Sequence, residues 1–231
     1  MVFAKRVARI VLLLLLASGV IAQQERPTPK PSLSQMIPET MRFVLEDDYQ
    51  GFVWWVPPEL WEVSGMEGRQ VKELSKYTLM IVVIGRKSAF GANVDYLSPS
   101  ELRSNMVLQD AEGTNYPPLP TVSKDIETFV AALRVFLHDP AMQEHADFVF
   151  FAGMDKAGKP LASARKRGGL RLIIRKVAGE EERLFDWQTP LDSFSPPVYC
   201  PVGKERLQAS WRYCPWHGVK LYDDSNEKKE K

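Results

Sequence analysis

The chain has 231 residues, and its 30 Lys and Arg nearly balance 29 Asp and Glu, for a formal charge of +1. This balance argues against a general nucleic-acid-binding protein, which needs a strong basic surface. Two cysteines are too few for a disulfide-rich scaffold, and the length suits one good-sized domain with a small appendage.

The N-terminus predicts a cleavable secretory signal peptide over residues 1–22. Its basic beginning consists of Lys5, Arg6 and Arg9. An apolar run over residues 10–17 follows, and Val20 and Ala22 occupy the −3 and −1 positions of a cleavage site. The run is shorter than the roughly 20 residues of a membrane-spanning helix. We therefore expect an exported protein of the periplasm or cell surface, with a formal charge of −2 once Lys5, Arg6 and Arg9 are removed.

Residues 23–34 contain three prolines and few apolar side chains, which predicts an extended linker. We expect the main folded domain to cover residues 35–195, with its first regular element near Met41. At the other end, residues 223–231 are mostly charged and predict a disordered tail.

Most of the domain predicts short strands, because β-branched and aromatic runs alternate with turn signals. These runs are Met41–Leu45, Phe52–Val56, Tyr77–Ile84, Ser104–Gln109, Phe148–Phe151, Leu170–Val177 and Glu181–Trp187. Apolar residues recur at helical spacing only between Ile126 and Leu137, and a single helical turn is expected from Pro58 to Trp61. The pattern predicts a mainly β fold, a two-layer antiparallel β-sandwich with one inserted helix whose apolar face packs on it.

The stretch from Leu108 to Tyr116 reads L-x-D-x-x-G-x-x-Y. With the strand pair that follows, it resembles a pattern found in immunoglobulin-like sandwich domains of exported bacterial proteins. The resemblance covers residues 104–187. It implies an immunoglobulin-like sandwich that serves as a binding or scaffold module rather than as an enzyme.

Residues 197–222 contain two copies of one short frame. Cys200 and Cys214 are each followed by proline, and Leu207 and Leu221 lie seven positions after their respective cysteines. The frame resembles the zinc-ribbon pattern CPxCGxxL…YCPxCGxxL. In that family each CPxC turn supplies two ligands to one Zn²⁺ in a small C-terminal hairpin.

The resemblance assigns Cys200, Cys214 and His217 to three of the four ligand positions. The fourth position falls on Gly203, which has no side chain, and Lys204 replaces the glycine that follows it in the family. Two alternatives remain: a zinc ion with three protein ligands, or a Cys200–Cys214 disulfide that holds the hairpin without metal. An exported chain with no other cysteine favours the disulfide, so we expect no cofactor, with zinc as the alternative.

Several other side chains are candidates for partner contact. They are Trp54, Trp55, Trp61, Arg165, Lys166, Arg167, Trp211 and Trp216. Tryptophan is favoured at interfaces, and the basic run could meet an anionic group. Core packing is the alternative for the first three tryptophans, and a solvated hairpin tip for the basic run.

The group His138, Asp139, Glu144 and His145 matches no metal-binding spacing, and a histidine also suits the last turn of a helix. We identify no catalytic residues, since the common hydrolase and phosphate-binding motifs do not occur. The expected function is a non-catalytic binding or assembly module of the periplasm or cell envelope, with a protein as its partner. The alternatives are a metal- or thiol-dependent protein that uses Cys200, Cys214 and His217, and a hydrolase with a scattered site.

Overall fold

The computed structural model describes residues 31–46, 48–66, 68–88, 93–136, 144–175 and 182–221. The signal peptide, most of the linker, the turn at Gly179–Glu180, the residues His138 and Asp139, and the charged tail were predicted for segments outside the described residues. No helix in the described part of the chain is long and apolar enough to cross a membrane.

Antiparallel strands dominate the described residues, which confirms the mainly β prediction. The strands are β1 Met41–Leu45, β2 Tyr49–Val56, β3 Tyr77–Lys87, β4 Val94–Tyr96, β5 Met106–Asp110, β6 Asn115–Tyr116, β7 Asp147–Ala152, β8 Gly168–Ile174, β9 Arg183–Thr189, β10 Val198–Tyr199 and β11 Arg206–Leu207. The helices are α1 Leu33–Thr40, α2 Pro58–Val63, α3 Arg69–Leu74, α4 Pro99–Ser104 and α5 Lys124–Phe136.

The strands form three sheets. The largest has the order β1-β2-β3-β4, and β7 also pairs with β3. In its register Val53 lies opposite Val82, and Met80 opposite Val149. The second sheet has the order β6-β5-β8-β9, and the third is the small pair β10-β11 near the C-terminus.

A shared apolar core joins the two larger sheets. Val53 and Met80 of the first sheet pack in one buried cluster with Leu172 of the second. At the centre of this cluster the rings of Trp55 and Trp187 meet edge to face, with centroids 6.3 Å apart. Each of these side chains contributes about 1.5–3 kcal/mol through burial, so the cluster stabilises the contact between the sheets.

The opposite face of the five-stranded sheet is covered by helices. Ile81 and Phe148 on that face pack with Leu60 of α2 and Ile126 of α5. The prediction of one inserted helix was therefore wrong, since the described residues contain five α-helices. The physical reason lies in β3, whose residues 78–85 are all buried and need apolar partners on both faces of the sheet.

Helix α1 occupies a position where the sequence predicted a linker and no element before Met41. Ser32 and Gln35 form a capping box at its beginning, and Met36 is fully buried. Pro38 lies inside the helix and argues against it at the sequence level. Tertiary contacts outweigh that cost: Trp187 Nε1 donates to Thr40 O at 2.7 Å and attaches the end of α1 to β9.

After β9 the chain passes a 3₁₀ turn at Asp192–Phe194 and enters the segment that contains β10 and β11. We call residues 197–221 the ribbon. Hydrogen bonds attach it to the main domain: Ala209 N–H donates to Asp192 Oδ1 at 2.5 Å, and Arg167 donates to Ser210 O at 2.9 Å and to Ala209 O at 3.5 Å.

Candidate metal centre

The two halves of the ribbon contain the same turn. In each, the cysteine N–H donates to the carbonyl five residues later, and the N–H four residues later donates back to the cysteine carbonyl. These bonds measure 3.0 and 3.0 Å at Cys200, and 2.9 and 2.8 Å at Cys214. The repeated sequence frame is therefore also a repeated backbone structure.

A positive φ angle also repeats in the two turns. The residue four positions after each cysteine has a positive φ, 62° at Lys204 and 65° at Gly218. Lys204 thus adopts the same left-handed conformation as Gly218, at a cost of roughly 1–2 kcal/mol. The two turns therefore share this backbone shape although only one of them has a glycine there.

The side chains of Cys200, Cys214 and His217 converge between the two turns. The two sulfurs lie 3.5 Å apart, and His217 Nδ1 lies 3.4 Å from each of them. Both cysteines are buried free thiols, so the favoured disulfide, whose bond would be about 2.05 Å, is not formed in this structure.

A fourth donor, which sequence reasoning missed, completes the group. Glu205 Oε1 lies 3.2 Å from His217 Nδ1 and 3.4 Å from Cys214 Sγ. One donor atom from each of the four residues lies within 4.8 Å of all the others. The zinc-ribbon pattern predicts a ligand only at position 203, whereas the carboxylate belongs to a residue two positions further along the chain.

Glu205 fills the space that a side chain at position 203 would occupy. A Cβ built on Gly203 would collide with Glu205 Oε2 and would lie 2.7 Å from His217 Cε1. A side chain at position 203 would therefore point into the same group of donors. Because Gly203 has no side chain, the Glu205 carboxylate can occupy this space.

Five of the six donor–donor distances come close to the edges of a tetrahedron around zinc, and the sixth, between Cys200 and Glu205, is at most 4.8 Å. With metal–ligand bonds of about 2.0–2.3 Å, a tetrahedral site has edges of roughly 3.3–3.8 Å. The five donor–donor distances given above run from 3.2 to 3.5 Å. A small expansion around an ion would bring them to these edges, and the thiolate, imidazole and carboxylate donors all suit Zn²⁺.

The pKa values of two of the donors shift in opposite directions. Burial raises the pKa of the Cys214 thiol, because a thiolate there loses its hydration. Hydrogen bonding, first from its own backbone N–H, lowers the pKa of Glu205 and keeps its carboxylate charged. A divalent ion would compensate this carboxylate and deprotonate the thiols. The side chains of His217 and Glu205 are 36% and 31% exposed, so solvent reaches the group from their side.

The structure places the first three tryptophan candidates in the interior. Trp55 and Trp61 are 1% and 7% exposed, and Trp54 is half-buried with its Nε1 donating to Thr40 Oγ1 at 3.0 Å. For Trp55 and Trp61 the partner-binding prediction was wrong and the alternative of core packing holds, while the half-buried Trp54 packs against the second core. Trp61 instead packs edge to face on Phe129 at 5.1 Å.

The basic run precedes β8 and contacts other parts of the chain. Arg165 pairs with Glu62 at 2.6 Å and covers the Phe194 ring, while Arg167 donates to the ribbon. Lys166 is exposed. Arg165 and Arg167 therefore form contacts between separate elements of the fold.

The remaining candidates lie at the surface. Trp211 and Trp216 meet edge to face at 5.9 Å, and Trp216 is 64% exposed. His145 stacks on Tyr96 at 4.2 Å, with its Nε2 3.9 Å from Glu144 Oε2. Among the described residues, neither Glu144 nor His145 joins a metal-type group of three or more donors.

Comparisons with protein-family models, with curated proteins and with solved structures gave no significant match for this chain. The resemblances to zinc ribbons and to immunoglobulin-like domains therefore stay predictions, and the candidate metal centre rests on the geometry of its own residues.

Proposed function

We propose that Cys200, Glu205, Cys214 and His217 hold a structural zinc ion. We further propose that the protein is a non-catalytic binding or assembly module of the periplasm or cell envelope that meets its partner through the ribbon. The convergence of four suitable donors between two equivalent turns carries the proposal.

The donor set favours zinc in a structural role. Two thiolates select a borderline-soft ion such as Zn²⁺ over Mg²⁺ or Ca²⁺, which prefer oxygen ligands. Four protein donors also fill a tetrahedral shell and leave no open position for a water or a substrate. A closed site of this kind stabilises a fold, which supports the non-catalytic assignment.

The ribbon needs such stabilisation. Its buried cluster consists of Cys200, Leu207 and Cys214, with a few half-buried neighbours. A segment of about 25 residues cannot bury enough apolar surface to fold on that basis. Zinc binding supplies about 10–16 kcal/mol in zinc-finger peptides at neutral pH, which is ample for a hairpin of this size.

A binding role is supported by what the ribbon exposes. Four large side chains of the ribbon are more than half exposed: Tyr199, Val202, Tyr213 and Trp216. Such a concentration of exposed aromatic surface in a short segment is typical of an interaction site. Together with the predicted signal peptide, it supports an exported module with a protruding contact element.

The metal content of the chain from Gln23 onward, which keeps every described residue, tests the zinc site. We expect about one zinc per chain and two thiols that react only after chelation. His145→Ala, which changes a histidine outside the site, should keep the metal. A chain without zinc and without reactive thiols before reduction would instead establish the disulfide.

Position 203 offers a sharper test of the role of Glu205. Gly203→Ala should push the carboxylate away and weaken zinc binding by more than the roughly 10–100-fold typical of an outer-shell change. The double variant Gly203→Cys with Glu205→Val should restore tight binding, since it rebuilds a Cys₃His site and places valine where Val219 stands in the other turn. Unchanged affinity in Gly203→Ala would contradict the assignment of Glu205.

A further inference from the structure

Apolar side chains form the tips of both turns. Val202 and Trp216 each lie two residues after a cysteine, and they are 58% and 64% exposed. Both turns converge on the same four donors, and a Cβ built on Gly203, the residue after Val202, would lie 2.7 Å from His217 Cε1. Val202 and Trp216 therefore both belong to the turns at the metal-holding end of the ribbon.

Behind each tip, a tyrosine and a basic residue lie opposite each other on the two strands of the hairpin, and we call each such pair a rung. Tyr199 pairs with Arg206, and Tyr213 pairs with Lys220, so each tyrosine shares a face of its hairpin with a cation. Both tyrosines are 56% exposed. Each tyrosine precedes its tip residue by three positions, which places the rungs at most about 10 Å behind the tips.

The ribbon is basic although the whole chain is nearly neutral. It contains Lys204, Arg206, Arg212 and Lys220, and its single acid, Glu205, belongs to the metal group. Its formal charge of +3 with His217 neutral contrasts with +1 for the whole chain. The charge that the chain presents at this end therefore suits a negatively charged partner.

We propose that the metal-holding end of the ribbon docks on the surface of an anionic lipid bilayer. This inference rests on the proposed function and names the partner of the same ribbon. The side chains at the tips are apolar, and behind them lies a layer of tyrosines beside basic residues. A bilayer interface presents the complementary order: acyl chains lie deepest, then the interfacial zone that tyrosine and tryptophan favour, then the phosphate groups.

A lipid surface fits the size of the site better than a folded protein. A stable protein interface needs about 800 Å² from each partner, and two tips with two tyrosines offer only part of that area. Shallow insertion to about 5–10 Å needs no such area, because anionic headgroups add attraction to each nearby Lys or Arg. The spacing between tips and rungs matches this depth.

Co-sedimentation with vesicles tests the proposal, using the zinc-loaded chain from Gln23 onward. We expect binding to vesicles that contain phosphatidylglycerol and phosphatidylcholine, much weaker binding to phosphatidylcholine alone, and weaker binding at high salt. Val202→Ser with Trp216→Ser should abolish it. Phe43→Ser, which changes a side chain of β1 that is 66% exposed, should leave it unchanged.

Arg206→Gln with Lys220→Gln should weaken binding about 30-fold, since each cation contributes about a factor of five near an anionic surface. Lys156→Gln with Lys159→Gln, on an exposed turn of the main domain, is the charge-matched control. Equal binding to neutral vesicles, or binding that survives loss of both tips, would overturn the proposal. Capture of an acidic protein by the same tips without vesicle binding would assign a protein partner instead.

Zinc content is measured on every variant, which separates the two proposals. A tip variant that keeps its zinc but no longer binds vesicles supports docking on the bilayer, because retained zinc shows that the ribbon is still folded. A chain that binds anionic vesicles without zinc would refute the metal site alone. A zinc-loaded chain that binds neither kind of vesicle would refute docking on the bilayer and leave the metal site intact.

Discussion

At the scale of single residues, Gly203 and Glu205 show how residues two positions apart can direct a side chain to the same point. Gly203 has no donor, yet the Glu205 carboxylate lies where a side chain on Gly203 would point. From position 203 alone, the sequence predicted a metal site without its fourth ligand. The structure instead shows four donors, because a tight turn brings residues two positions apart to the same point.

Lys204 and Gly218 provide a matched pair at equivalent positions. Both have a φ near +60°, but only Lys204 carries a Cβ there, and a Cβ on Gly218 would meet nothing within 4 Å. We expect Lys204→Gly to raise the free energy of local opening of the ribbon by about 1 kcal/mol, and Gly218→Ala to lower it by about as much.

Hydrogen exchange at the Cys200 and Cys214 amides, both bonded inside their turns, measures that free energy. If Lys204→Gly and Gly218→Ala changed the free energy of local opening in the same direction, backbone strain would not decide the stability of these turns.

At the scale of elements, burial on both faces of β3 explains most of the helices. The sequence located β3 through its continuous apolar run, and located α5 through its helical period. It missed α3 and α4, which are six residues each and too short for a periodic signal. The beginning of α4 was marked by a capping box between Ser98 and Glu101, a local signal that sequence reasoning did not use.

Helix α5 covers the sheet through side chains that are half-buried rather than fully buried. Phe129 packs on Trp61, and Leu133 adjoins the same cluster. We expect Phe129→Ala to reduce the free energy of unfolding by about 2 kcal/mol, less than for a fully buried phenylalanine. Urea unfolding measures the change, and Thr128→Ser, on the exposed side of the helix, should stay within about 0.5 kcal/mol. A loss below about 0.5 kcal/mol for Phe129→Ala would show that α5 contributes little to this core.

At the scale of the whole molecule, the ribbon has its own small core and joins the main domain through a few polar contacts. Its buried cluster shares no residue with the two large cores. The bonds from Ala209 to Asp192 and from Arg167 to Ser210 position it against the main domain. We therefore expect the ribbon to open as a unit without unfolding the two sheets.

Removing the metal tests this independence. A chelator added to the zinc-loaded chain should abolish hydrogen-exchange protection at the Cys200, Cys214 and Gly218 amides, because the ribbon loses its main source of stability. Amides of β3, in the middle of the five-stranded sheet, should keep their protection. Loss of protection in both regions together would mean that the ribbon and the main domain form one cooperative unit.

The sequence by itself determined the mainly β composition, most strand positions, helix α5 and the repeated frame of the ribbon. These features follow from periodicity, turn residues and spacing, which act over a few neighbouring positions. Only the tertiary structure decided that the sheet carries helices on one face, that Trp55 and Trp61 are buried, and that Glu205 joins the two cysteines and His217. Those outcomes depend on which surfaces and donor atoms meet in space, and distance along the chain does not determine that.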